Sequence, residues 1–239
     1  MKPVDRYIHD VMACVFAAPA ERARFEEDLR AHFADAEARG ESPARIIEDM
    51  GRPGDVAAAF NAEREIRHAS FWQRLVAFAG DAGVMLALCL APLGLVLRVV
   101  GPLQPDETPS AGGLVVLAVA GCAVLGVMLL YFPLLEWRFG KTFGKHLLRI
   151  RVVDEAGGPI SLGQAWLRRL SYYFEMLVVD ALFIPFTDKR QRALDIVAKT
   201  IVACEPGEKA RWWSWAVCLT LPAACLLAML AIAVILPPG

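Results

Sequence analysis

Residues 71–100 read FWQRLVAFAGDAGVMLALCLAPLGLVLRVV, and this stretch decides the fold. A membrane-spanning helix needs about 20 mostly apolar residues, so the stretch predicts a bilayer span. It also carries Arg74 at its entrance and Asp81 further in. Seven residues advance a helix by about 700°, which places both side chains on one face, roughly 10 Å apart along the axis. Because a charged side chain is costly in hydrocarbon, we expect Asp81 to have polar partners.

Two further stretches have the length and composition of spans. Residues 114–135 contain no charged side chain, and residues 212–236 are also uncharged and begin with a group of tryptophans typical of a membrane interface. The predicted fold is therefore a mainly α-helical, polytopic membrane protein. Its spans are expected at about 75–100, 114–135 and 212–236.

The apolar stretch at residues 170–186 is too short to be assigned in the same way. It contains Glu175 and Asp180, and the tract that follows it, 188–211, carries six Lys and Arg residues. A true span would place those six charges outside the cell, against the usual bias of membrane proteins. We therefore favour a re-entrant or interfacial helix over residues 162–186, with a true span as the alternative.

Loop charges predict the topology. The loop 136–169 carries seven Lys and Arg residues, which marks it as cytoplasmic. This places the N-terminus inside and Gly239 outside. The first residues contain no apolar signal segment, so the first span is expected to act as the anchor. We expect a multi-pass protein of a bacterial-type plasma membrane.

Residues 1–66 indicate a soluble helical bundle, which we call the head. Phe25, Leu29 and Phe33 recur at helical spacing among charged residues. Residues 1–70 contain 10 Lys and Arg against 14 Asp and Glu, a net charge of −4; the remaining residues contain 15 against 12, a net charge of +3. The pattern leaves two interpretations: a solvated bundle with no site of its own, or a module that docks a cytoplasmic protein.

Two short stretches predict a strand pair. Residues 147–154, LLRIRVVD, alternate and are rich in β-branched side chains, and residues 199–204, KTIVAC, are similar. We expect them to pair as a small hairpin-like element on the cytoplasmic side.

Composition excludes several classes. The near-neutral net charge of −1 argues against a nucleic-acid partner. Six cysteines without a CxxC pair and four histidines without ligand spacing predict no metal or cofactor. The sequence GKTFGK at 140–145 lacks phosphate-loop spacing, and we expect its Lys141 and Lys145 to lie on anionic lipid. The sequence shows no Ser-His-Asp or Cys-His spacing that would indicate an enzyme.

Three motifs, in order, resemble those of the RDD family of membrane proteins. RLVAFAGD contains the arginine and aspartate of the first motif, here Arg74 and Asp81. GKTFGK with RVVD at 151–154 resembles the second motif, and ALDIVAKTIV at 193–202 resembles the third. The resemblance covers residues 71–204. It implies a membrane domain involved in transport, in a family whose ligands are mostly undefined.

The head resembles a second family. The segment RFEEDLRAHFADAEARGESPARIIEDMGRPGDVAAAF, residues 24–60, is similar to the HAAS module, which is related to the DUF1700 group. That resemblance implies cytoplasmic signalling and membrane-anchored partners of PadR-like regulators. The predicted domains are thus the head at 1–66, an RDD-like membrane domain at 71–204 and the terminal helix at 212–236.

From these motifs we predict one polar cluster of Arg74, Asp81 and Asp195 at the cytoplasmic side, with Glu175 and Asp180 as secondary candidates. Two roles stay open for Asp81: a structural pairing inside the bundle, or the binding of an ion or proton.

Two functions follow from these roles. One is transport of an ion or small solute, which three spans can support only by self-association into a homo-oligomer. The other is a membrane-anchored regulatory or scaffold protein whose head binds a cytoplasmic partner.

Overall fold

The computed structural model describes residues 3–100, 110–173, 180 and 183–235. The chain forms two compact units, and each is built from two separate stretches of sequence. The head–strand unit comprises Met1–Phe71 and Arg149–Lys209, and the span unit comprises Trp72–Leu148 and Ala210–Gly239. These spatial units differ in their bounds from the predicted domains, which follow sequence motifs rather than packing.

The described elements are mainly helical, with one small antiparallel sheet, as predicted. In chain order they are α1 (Pro3–Cys14), α2 (Pro19–Ala38), α3 (Pro43–Met50), α4 (Pro53–Ala62), α5 (Phe71–Val100), α6 (Ala111–Phe139), α7 (Phe143–Leu147), β1 (Ile150–Asp154), α8 (Leu162–Leu167), α9 (Leu170–Tyr173), a 3₁₀ turn (Ile184–Phe186), α10 (Ala193–Val197), β2 (Thr200–Cys204) and α11 (Trp212–Ile235).

Helices α1 to α4 form the head. Each of α2, α3 and α4 has proline in its first turn, where the missing N–H has no helical partner to lose. The hydroxyl of Ser42 accepts a hydrogen bond from the Arg45 N–H and caps α3. Tyr7 packs edge-on against Phe33 in a buried apolar core drawn from all four helices. The head therefore has a core of its own.

The predicted strand pair is confirmed. Strands β1 and β2 are antiparallel, with Ile150 opposite Cys204, Val152 opposite Val202 and Asp154 opposite Thr200. On its other side, β2 pairs with the chain at His68, which forms an isolated antiparallel bridge with Ala203. The segment that follows the head in sequence, at His68, therefore packs along the edge of the strand pair.

The predicted helix at 162–186 is interrupted in the part that the structure describes. Ser161 caps α8 by accepting a hydrogen bond from the Gln164 N–H. Helix α8 ends at Leu167, and α9 begins only at Leu170. The interruption coincides with Arg168, whose buried side chain turns towards β2.

The span unit contains the apolar helices. Among the described residues, three helices are long and apolar enough to cross a membrane, with apolar windows at Phe71–Leu90, Ala111–Phe139 and Trp212–Ala231. They match the predicted spans. Helix α6 ends where Gly140 adopts a left-handed conformation, with φ of 70°, which suits glycine because it has no Cβ atom.

Candidate functional site

Asp81 of α5 is almost fully buried, with 1% of its surface exposed. Three donors reach its carboxylate: the Tyr131 hydroxyl at 3.0 Å, the Thr142 hydroxyl at 2.5 Å and the Gly144 backbone N–H at 2.8 Å. Tyr131 lies on α6, and the other two lie at the start of α7. Because an unpaired buried polar group is costly, these bonds hold Asp81 in place. The carboxylate therefore joins three elements of the span unit.

The start of α7 approaches α5 closely. The first N–H groups of a helix have no partner within the helix, and Asp81 supplies an acceptor for one of them. A Cβ atom added at Gly144 would lie 1.9 Å from the Ala77 carbonyl oxygen. Only glycine fits at this contact, so its small size permits the carboxylate to reach the helix terminus.

A buried ion pair lies beside this contact. Glu136, at the end of α6, is fully buried, and the Lys145 ammonium lies 2.5 Å from its carboxylate. The Lys145 side chain is itself only 12% exposed. Removing one member of such a pair leaves a buried charge and typically costs about 3–5 kcal/mol. The pair fixes α7 to α6.

Asp195 forms a second buried network, in the head–strand unit. Its carboxylate is fully buried and lies 2.9 Å from the Arg168 guanidinium and 3.1 Å from that of Arg192. Arg168 is also fully buried and donates to the Thr200 hydroxyl at 2.6 Å. The network connects the end of α8, the start of α10 and the start of β2.

Asp180 extends this network. It is buried and accepts hydrogen bonds from the Ser171 hydroxyl at 2.8 Å and from the Leu194 N–H at 2.9 Å. The Arg192 guanidinium lies 3.7 Å from it. Arg192 therefore contacts both Asp180 and Asp195.

A comparison with family models matches residues 68–199, more than half of the chain, to the RDD family. The chain belongs to the RDD family. A second model, HAAS, matches residues 6–59 in the head. Both resemblances inferred from the motifs are confirmed, and the chain is a membrane protein. No curated protein and no solved structure matches it.

The RDD motif residues are distributed over both units. Arg74 and Asp81 lie in the span unit, and Asp195 lies in the head–strand unit. The described partners of the two aspartates are different groups, each within its own unit. Their union with Arg74 in one cluster stays a prediction. Of the secondary candidates, Asp180 is bonded as above, and Glu175 lies outside the described residues.

The basic turn of the RDD region has a described contact that sequence did not predict. Lys145 was expected on anionic lipid, yet its ammonium contacts the buried Glu136. The lipid contact of Lys141 and Lys145 stays a prediction.

Sequence reasoning missed Glu136 and Arg168. Glu136 directly follows the uncharged stretch 114–135 and precedes a basic tract, which is a usable signal for an ion pair. Arg168 offers no comparable signal, because it lies far from Asp195 in the sequence. Thr142 and Gly144 fall inside the second RDD motif. The polar side chain of Thr142 and the small size of Gly144 were the sequence signals for their contact with Asp81.

The chemistry of the Asp81 site is that of a carboxylate surrounded by donors. Hydroxyl and N–H groups satisfy its oxygens by donating hydrogen bonds to them, and a cation would compete with those donors for the same oxygens. Among the described residues, the structure places no three histidine, cysteine or acidic side chains where they could jointly hold a metal ion.

Proposed function

We propose that this RDD protein is a membrane-anchored regulatory protein whose acidic head binds a cytoplasmic protein. One observation carries the proposal: the head shares a core with the strand pair. Phe16, which follows α1, packs in a buried cluster with Val153, Ile201 and Ala203. A partner that moves the head would therefore act on the strands directly.

A buried asparagine reinforces this joint. Asn61 of α4 donates to the Ala156 carbonyl at 2.8 Å and to the Cys14 carbonyl at 3.1 Å, and it accepts from the Phe16 N–H at 2.9 Å. Hydrogen bonds to a buried amide are costly to leave unmade. Asn61 therefore fixes the orientation of the head on the loop that follows β1.

The outer face of α2 supplies the docking chemistry. Five acidic side chains of α2 are exposed: Glu21 in its first turn, and Glu27, Asp28, Asp35 and Glu37 on this face. Such a face attracts a partner with a basic surface, mainly by raising the association rate. The proposal includes a cytoplasmic head, a bacterial-type plasma membrane and no enzymatic step.

In-cell photo-crosslinking tests this function. A crosslinking residue replaces the exposed Ala34 of α2 in the full chain, in cells of the source organism. We expect one discrete adduct, weakened by salt and lost when the four acidic side chains of this face become amides. The control converts the exposed Glu63 and Glu65 to Gln and should keep the adduct. An adduct indifferent to the four changes, or no adduct, contradicts the proposal.

Transport of an ion or small solute is the second candidate. Buried ionisable side chains within the span unit favour it, since such groups in membrane helices commonly mark ion or proton paths. The three hydrogen bonds that Asp81 accepts argue against transport, because an ion would have to compete with those donors. Three spans also require self-association to enclose a path.

Flux into proteoliposomes separates the two candidates. Purified full-length protein is compared with Asp81→Asn and with empty vesicles, using sodium, potassium and proton gradients. Flux above empty vesicles that Asp81→Asn abolishes supports transport. Equal flux in all three preparations favours the regulatory function.

A further inference from the structure

A helix–strand module occurs twice in this chain. Helix α7 and strand β1 occupy 143–147 and 150–154, and helix α10 and strand β2 occupy 193–197 and 200–204. Every boundary of the second module is that of the first plus 50 residues. Each module is a five-residue helix, a two-residue connector and a five-residue strand.

The connectors have the same backbone geometry. Arg149 and Lys199 both adopt left-handed conformations, with φ of 54° and 52°, which is uncommon for residues other than glycine. Each follows a buried apolar residue, Leu148 or Ala198. The strands then pair about Val152 and Val202, which lie opposite each other at the centre of the register. The two strands are therefore related by a local twofold axis at the centre of the pair.

Each short helix meets a buried aspartate at the same position. The Gly144 N–H donates to Oδ1 of Asp81 at 2.8 Å, and the Leu194 N–H donates to Oδ1 of Asp180 at 2.9 Å. Gly144 and Leu194 are equivalent positions in the two modules. A free N–H in the first helical turn is thus capped by a distant carboxylate in both.

The residues that precede the two helices also correspond. The Thr142 hydroxyl donates to Oδ2 of Asp81 at 2.5 Å, and the Arg192 guanidinium lies 3.7 Å from Oδ2 of Asp180. Both carboxylates therefore use one oxygen for the helix N–H and the other for the side chain at the N-cap.

The third residue of each short helix also forms a buried ion pair, but the charge of that residue is opposite in the two modules. Lys145 pairs with the buried Glu136, and its equivalent Asp195 pairs with the buried Arg168. By position in the module, Asp195 thus matches Lys145, and it is Asp180 that matches Asp81.

We propose that Asp180 is the second helix-positioning acid of this chain and the counterpart of Asp81. Each carboxylate fixes the first turn of one short helix. The inference goes beyond the proposed function, because it assigns a role to Asp180 whether or not the head binds a partner. Over positions 142–154 and 192–204 the two modules share only Val152 and Val202, so sequence comparison alone does not reveal the repeat.

Hydrogen–deuterium exchange on the full chain in lipid nanodiscs tests the assignment. Asp180→Ala should speed exchange of the amides in residues 193–198 by roughly ten- to a hundredfold, the range for losing a buried hydrogen bond to a charged group. Exchange in residues 143–148 should not change. Asp81→Ala should give the reverse pattern, and Asp188→Ala, at an exposed aspartate nearby, should change neither segment.

Asp180→Asn is the decisive second variant, because it keeps the volume of the side chain and an oxygen that can accept from the Leu194 N–H. We expect it to retain slow exchange in residues 193–198, and this result supports the role even if Asp180→Ala does not fold. Unchanged exchange in Asp180→Ala overturns the proposal. The proposal is also overturned if the amides of residues 193–198 in Asp180→Asn exchange as fast as fully exposed amides.

Discussion

Among the described glycines, Gly144 has the closest neighbouring atom. A Cβ atom there would meet the Ala77 backbone at 1.9 Å, and backbone atoms cannot rotate away. We expect Gly144→Ala to destabilise the span unit by about 1–3 kcal/mol or more, the usual range for overpacking. Thermal unfolding in detergent measures the loss.

The matched control for this change is Gly126→Ala, because a Cβ atom added at Gly126 meets nothing within 4 Å. Alanine also favours a helix over glycine by about 1 kcal/mol, so Gly126→Ala should unfold at the same temperature or higher. Equal melting of both variants would show that α7 does not approach α5 as described.

Glu155 gives a pH dependence outside the spans. The hydrogen bond from Lys189 lowers the pKa of Glu155, with a smaller contribution from Gln191. The folded pKa therefore lies below the unfolded one. The contact stabilises the fold above the ordinary pKa of glutamate and is lost as the pH falls through the folded value. Because both side chains are about half exposed, the effect is small, about 0.2–1 kcal/mol.

The test for Glu155 is the melting difference between the parent chain and Glu155→Gln. The difference should be present at neutral pH and disappear in acid. Glu63→Gln, at an exposed position, serves as the control. A difference that persists in acid would mean that the glutamine acts through packing rather than through charge.

At the scale of elements, the head should fold without the rest of the chain. Its core, around Tyr7 and Phe33, lies within α1 to α4. We expect a fragment of residues 1–66 to show helical circular dichroism and a cooperative melt. Phe33→Ala should destabilise both fragment and full chain by about 3–5 kcal/mol. Phe16→Ala should destabilise only the full chain, where Phe16 packs on the strand pair. A disordered fragment would contradict this expectation.

The elements also show what sequence can and cannot predict. The periodicity of β-branched residues was enough to predict that 147–154 and 199–204 pair, and apolar length was enough for the three spans. Both signals are local. The buried pairs of Glu136 with Lys145 and Arg168 with Asp195 depend on the tertiary fold, and charge counting assigned their basic members to loops. Motif spacing identified Asp81, but not its partners from α6 and α7.

The whole molecule combines an acidic head with a basic membrane body. Residues that face away from the core of the head–strand unit include apolar ones near the basic tract: Phe183 is 45% exposed and Phe186 is 84% exposed. Exposed aromatic side chains next to Lys189 and Arg190 are typical of a surface that lies in a membrane interface. Such a surface is what the interfacial interpretation of residues 162–186 expects, and that interpretation stays a prediction.

The topology of the whole chain follows from that interpretation. We expect the N-terminus, the loop 136–169 and the tract 188–211 to be cytoplasmic, because each basic tract then lies on the side that Lys and Arg prefer. A phosphatase that is active only outside the membrane should be inactive when fused after Pro206 and active when fused after Gly239. A green fluorescent protein should give the opposite result at both positions, which controls for expression. Phosphatase activity after Pro206 would mean that residues 170–186 cross the bilayer, and it would place six positive charges outside the cell.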